Sequence, residues 1–174
     1  IHQEMFRLLA VVALVSVASA DDSMADFAAI GAKIQSAISS FDPAFVQKLQ
    51  EIGKNHDISR NQKIAQINEA IAALPADQQE KANKFKDFGI KKEQEMIALV
   101  KSMIPSFSSE TQAVINNIVS TYENGADTPC KQLIEKITAI YNGASDAAKK
   151  ELTDAKAGLL EKAKDFAKSL IPAN

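Results

Sequence analysis

The feature that most constrains this chain is a short phrase that occurs twice. Lys101-Ser102-Met103-Ile104-Pro105 returns as Lys168-Ser169-Leu170-Ile171-Pro172, and each copy closes a long stretch of helical periodicity. From Ser102 through Phe107 the chain also looks back to Ser36-Ala37-Ile38-Ser39-Ser40-Phe41. The phrase thus ends one unit and opens the next, giving an internal repeat over about 36–105 and 102–172. Apolar positions keep the same phase. Phe41, Leu49 and Ile52 match Phe107, Ile115 and Ile118 at a step of 66 residues, and Ile64, Ile67 and Ile71 match Ile134, Ile137 and Tyr141 at a step of 70. On this reading the difference between the two steps falls in the loop after Ile52 or Ile118, because surface loops absorb insertions at little cost.

Each unit reads as helix, loop, helix and long helix. A first helix from Ser23 carries Phe27, Ile30, Ile34 and Ile38, spaced three and four apart. Asp42-Pro43 then supplies an N-cap and a proline at the first helical position, ahead of Phe45, Val46, Leu49 and Ile52. Gly53 to Asp57 reads as a loop, and Ser59-x-x-Gln62 has capping-box spacing before Ile64, Ile67, Ile71 and Leu74. The next pattern runs from Ala76 to about Ile104, with Gly89 as a place to bend or break. Ser109-x-x-Gln112, Asp127-Thr128-Pro129 and Ser145 open three further helices. Asn124-Gly125 and Asn142-Gly143 stop two of them. The prediction is an all-α bundle of about seven amphipathic helices, each burying its stripe against the others.

The N-terminal residues point to export. Met5-Phe6-Arg7, the apolar run from Leu8 to Val17 and the Ala18-Ser19-Ala20 cleavage site have the order of a secretory signal peptide, with Ile1 to Glu4 as leader. Residues 1–20 are therefore assigned to leader and signal, and 21–174 to one helical domain. No second apolar run is long enough to span a membrane, so the expected product is secreted and soluble. A domain of about 150 residues buries enough surface to need no metal or disulfide staple. The single cysteine agrees with that. A net charge of −2 with interspersed signs excludes nucleic acid as the main partner and disfavours an anionic membrane.

Catalytic signatures are missing. Past the signal segment there is one histidine, His56, and H-E-x-x-H, C-x-x-C, G-x-S-x-G and phosphate-binding glycine loops do not occur. Cys130 shares helical spacing with Leu133, Ile134 and Ile137, which places it on a buried face. An intermolecular disulfide is the second reading of that thiol, and a nucleophile paired with His56 the third. Two loops offer hard-cation oxygens. Asn55, Asp57, Ser59 and Asn61 fall near alternate positions in the first, and Glu123, Asn124 and Asp127 supply the second. A calcium-type loop would place glycine and a bidentate acid where Gln62 and Asn68 stand. Helix caps and turn residues explain the same seven positions more simply. Phe85, Phe88, Met96 and Phe166 have the spacing of core residues, and in a secreted bundle they are also candidates to line an apolar cavity.

One segment resembles a known family. Phe45-Val46-Gln47-x-Leu49-x-x-Ile52-x-x-Asn55-x-Asp57-Ile58-Ser59, followed by Ile64-x-x-Ile67-x-x-x-Ile71-x-x-Leu74-Pro75, is similar to the repeated unit of the SXP/RAL family of secreted nematode antigens. The likeness covers about 41–90, and 107–155 more loosely. It implies an all-helical excretory–secretory antigen or allergen without enzymatic activity, carrying an Anisakis-allergen-type cation-binding domain for calcium or magnesium. Its partner would be a host or parasite protein. A second likeness runs from Gln132-Leu133-Ile134-Glu135-Lys136 to Asp146-Ala147-Ala148-Lys149-Lys150, which looks somewhat like the nematode fatty-acid- and retinol-binding proteins. That one implies a lipid carrier whose partner is a hydrophobic small molecule.

Overall fold

Asp42 opens the first helix as the sequence leads one to expect: its carboxylate accepts from the Ala44 and Phe45 amides, and Pro43 follows at the first helical position. The computed structural model describes residues 40–155, and over that span the chain is all-α. Six α-helices follow in order: α1 (Pro43–Lys54), α2 (Arg60–Ala72), α3 (Ala76–Met103), α4 (Ser109–Asn124), α5 (Cys130–Asn142) and α6 (Asp146–Asp154). A 3-10 turn over Ile104–Ser106 joins α3 to α4. The expected count was about seven; the helix predicted from Ser23 and the second KSLIP phrase lie outside the described residues. No helix among these is long and apolar enough to cross a membrane.

The helix starts are chemical. Ser59 and Gln62 form a complete capping box at α2, and Ser145 accepts from Ala148 at α6. At α4 the cap is Ser108, one residue before the predicted Ser109, and its hydroxyl accepts from the Thr111 amide. Gly89 does not break α3, which is continuous over 28 residues with the glycine buried. Burial also shifts the stripe of α2. The buried row is Lys63, Ile67 and Ile71, spaced by four, while Ile64 is half exposed.

Two apolar cores share α3. Phe41, Phe45, Ile52, Ile67, Ile71, Leu74 and Ala82 make the first, from α1, α2 and the start of α3. Phe41 meets Phe45 and Phe85 edge-on, with ring centroids 5.5 and 6.2 Å apart. Met96, Val100, Met103, Tyr122, Leu133 and Ile137 make the second, from the end of α3 with α4 and α5. Cys130 is a buried thiol in the opening turn of α5.

The two units have related lengths. α2 and α5 each hold 13 residues and start 70 positions apart. α1 has 12 residues and α4 has 16, so the added four residues extend a helix instead of a loop. Four residues are close to one full turn, so the extension returns the chain to nearly the same face and leaves the following loop in place.

Candidate functional site

The two inter-helix loops meet. Cys130 donates its amide to the Ile58 carbonyl at 3.1 Å, Lys131 donates to the His56 carbonyl at 2.9 Å, and Asn61 donates to the Ala126 carbonyl at 3.0 Å. Ser59 and Pro129 form an isolated antiparallel bridge at the centre of this contact. Side chains add to the clasp, since the Asn61 amide nitrogen donates to the Asp127 carboxylate at 2.7 Å. Backbone pairing between two five-residue loops leaves no apolar periodicity to read, which is why the sequence does not announce it.

The seven predicted oxygen donors are therefore placed as follows. Asn55 Oδ1 accepts from the Asp57 amide at 3.1 Å, a turn of the kind asparagine makes with its own backbone. Ser59 is buried, and its hydroxyl accepts from the Gln62 amide. Because that cap starts α2 at Arg60, Asn61 belongs to a helical turn and not to a loop that wraps an ion. Asn61 and Asp127 do meet, but as a hydrogen-bonded pair across the loops. Glu123 pairs with the Lys101 ammonium at 2.7 Å, and the Asn124 side chain donates to Ser120. Among the described residues no group of three or more His, Cys, Asp or Glu side chains could hold a metal ion. Four of the candidate oxygens, on Asn55, Ser59, Glu123 and Asp127, thus accept from donors of the protein.

Two cations of the protein bind helix-end carbonyls beside these loops. Lys63 is 3 % exposed, and its Nζ donates to the Gly53 carbonyl at 3.1 Å, in the last turn of α1. Arg60 donates to the Tyr122 and Glu123 carbonyls at 3.0 and 3.5 Å, in the last turn of α4. The same guanidinium pairs with Glu93 of α3 at 2.6 Å and lies 4.2 Å from the centre of the Tyr122 ring. The Tyr122 hydroxyl donates to Glu93 at 2.7 Å. Burial pushes this phenol well above its ordinary range, and the neighbouring Glu93 charge adds to that against the opposing pull of Arg60. The second loop is filled by apolar volume. Gly125 lies so close to Leu133 that a β-carbon would meet Leu133 Cδ1 at 2.5 Å and the Thr121 carbonyl oxygen at 2.8 Å.

Of the four apolar candidates, the three described ones belong to different surroundings. Phe85 packs on the first core and Met96 is part of the second, while Phe88 is half exposed with the Lys92 ammonium 5.5 Å from its ring centre. Phe166 lies outside the described residues. A groove of about 640 Å³ does open between α1 and α2, floored by Phe45 and Leu74 and edged by Asp42, Lys48 and Glu69. Sequence reasoning passed over Lys63, and it reads Lys91-Lys92-Glu93 and Lys149-Lys150-Glu151 as solvated charge runs. Glu93 instead binds Arg60 and Tyr122, and Glu151 binds Ser108 and Thr111. Lys63 alone left a signal: it sits one turn before Ile67 on the buried row. No family model matches this chain, and no curated protein or solved structure does.

Proposed function

We propose that this chain is a non-enzymatic, secreted binding protein of the SXP/RAL kind, acting through contacts with a host or parasite protein. The observation that carries the reading is the use made of the polar side chains. Arg60, Lys63, Glu93 and Tyr122 join helices to one another, and Asn61 and Asp127 join the loops. Such groups stiffen a scaffold, and a rigid helical scaffold presents its faces to a partner at low conformational cost. The division of the apolar residues between two cores supports surface binding over an acyl chain held inside.

Two experiments together test the proposal. In the first, a fluorescent fatty acid is titrated into the mature protein and then challenged with oleate. No blue-shifted, oleate-displaceable signal is expected, and a displaceable one would transfer the protein to the lipid-carrier reading. In the second, the mature protein is cross-linked in host serum or parasite secretions. A saturable one-to-one adduct with a defined protein is expected, and its absence across both fluids would count against the proposal.

A further inference from the structure

Helix termini explain what the buried cations do. The last carbonyls of an α-helix have no partner within the helix and carry the negative end of its dipole. They are satisfied by a cap, by water, or by a cation. α1 and α4 both run into the clasp, and both end with such carbonyls there. Gly53 of α1 and Tyr122 of α4 are themselves buried, and the Tyr122 carbonyl accepts from the Gly125 amide at 3.2 Å as well as from Arg60. Arg60 and Lys63 both lie in the opening turn of α2, which has no acidic residue in that turn. Positive charge at a helix N-terminus works against that helix's own dipole. Each side chain instead reaches C-terminal carbonyls of a different helix, Lys63 to α1 and Arg60 to α4, and Arg60 is also paired with Glu93 of α3.

We propose that the paired loops carry built-in cations: the Lys63 ammonium and the Arg60 guanidinium hold the α1 and α4 ends in the clasp in place of a divalent ion. A bound calcium would balance several oxygen dipoles at once from one point. Here two monovalent cations on one helix balance two separate carbonyl ends, and the covalent chain supplies them at fixed stoichiometry. The module is accordingly folded and clasped at any calcium or magnesium level. This holds whether or not the protein-binding proposal above survives, since it concerns the clasp alone.

The test uses the full mature chain. Thermal melts are recorded in chelator, in calcium and in magnesium, for the wild type and for Lys63→Met, which keeps most of the side-chain length and removes the charge. The wild-type melting temperature is expected to be the same in all three conditions. A saturable rise with either ion would overturn the proposal, because an ion that binds the folded state must stabilise it. Lys63→Met is expected to melt lower by roughly 5 °C. Hydrogen exchange at the Cys130 and Lys131 amides, which pair across the loops, is expected to quicken about tenfold. A variant that melts and exchanges like the wild type would overturn the proposal as well. If Lys63→Met fails to fold, the wild-type ion series decides alone.

Discussion

Tyr122 is pinned from three sides: by Arg60 over its ring, by Glu93 at its hydroxyl, and by the second core around it. Replacing it with phenylalanine leaves the ring and removes the donor to Glu93, at a cost of about 1–2 kcal/mol in denaturant unfolding. Its titration has a definite sign. The folded phenol ionises above its unfolded value near 10.0, so its contribution is intact below that pH and declines above it. In an alkaline absorbance titration one tyrosine should therefore ionise only as the protein unfolds, and Tyr122→Phe should abolish that step. Gly125 is the other demanding residue. Its φ of −90° is open to any amino acid, so space and not backbone freedom calls for glycine. Because the Thr121 carbonyl oxygen is backbone and cannot yield easily, Gly125→Ala should destabilise by about 1–3 kcal/mol in chemical denaturation.

At the scale of elements, α6 fastens the start of α4. The Glu151 carboxylate accepts from the Ser108 amide at 2.8 Å, from the Ser108 hydroxyl at 2.6 Å and from Thr111. Hydrogen bonds from the Ser108 and Thr111 hydroxyls, then from the Ser108 amide, hold its ionisation below the ordinary value of 4.5. A depressed folded value means stability that is fully present above 4.5 and lost as the pH falls through the folded value. Glu151→Gln should therefore flatten the acid limb of a stability–pH curve while leaving its neutral-to-alkaline shape alone. Much of this architecture was legible. The Asp42, Ser59 and Ser145 caps follow from local hydrogen-bond chemistry written in three or four adjacent residues. The repeat alignment places the four-residue difference in a loop, whereas it lengthens α4; a full added turn keeps the apolar phase. The candidate oxygens sit in or beside two loops that meet, where several of them accept from donors of the protein itself. Which of them meets an ion, a lysine or an amide is fixed by loops that approach from about 70 residues away in the chain.

On the scale of the molecule, α3 is the common wall of two cores that are each too small to stand apart from it. Ile67, 2 % exposed, belongs to the first, and Ile67→Ala should cost about 2–5 kcal/mol in chemical denaturation. Because Arg60 ties α2 to both α3 and α4, that loss should appear as one cooperative transition and not as the melting of one unit before the other. The proposed function rests on polar groups committed to helix ends and apolar groups divided between two cores, which favours binding at the surface. Native mass spectrometry of the mature protein tests that claim most directly, with spectra taken before and after mild denaturation. The account predicts the bare chain mass in both, with no retained calcium or magnesium and no organic ligand released. A co-purifying fatty acid or retinoid, or a stoichiometric divalent ion lost only on unfolding, would contradict it.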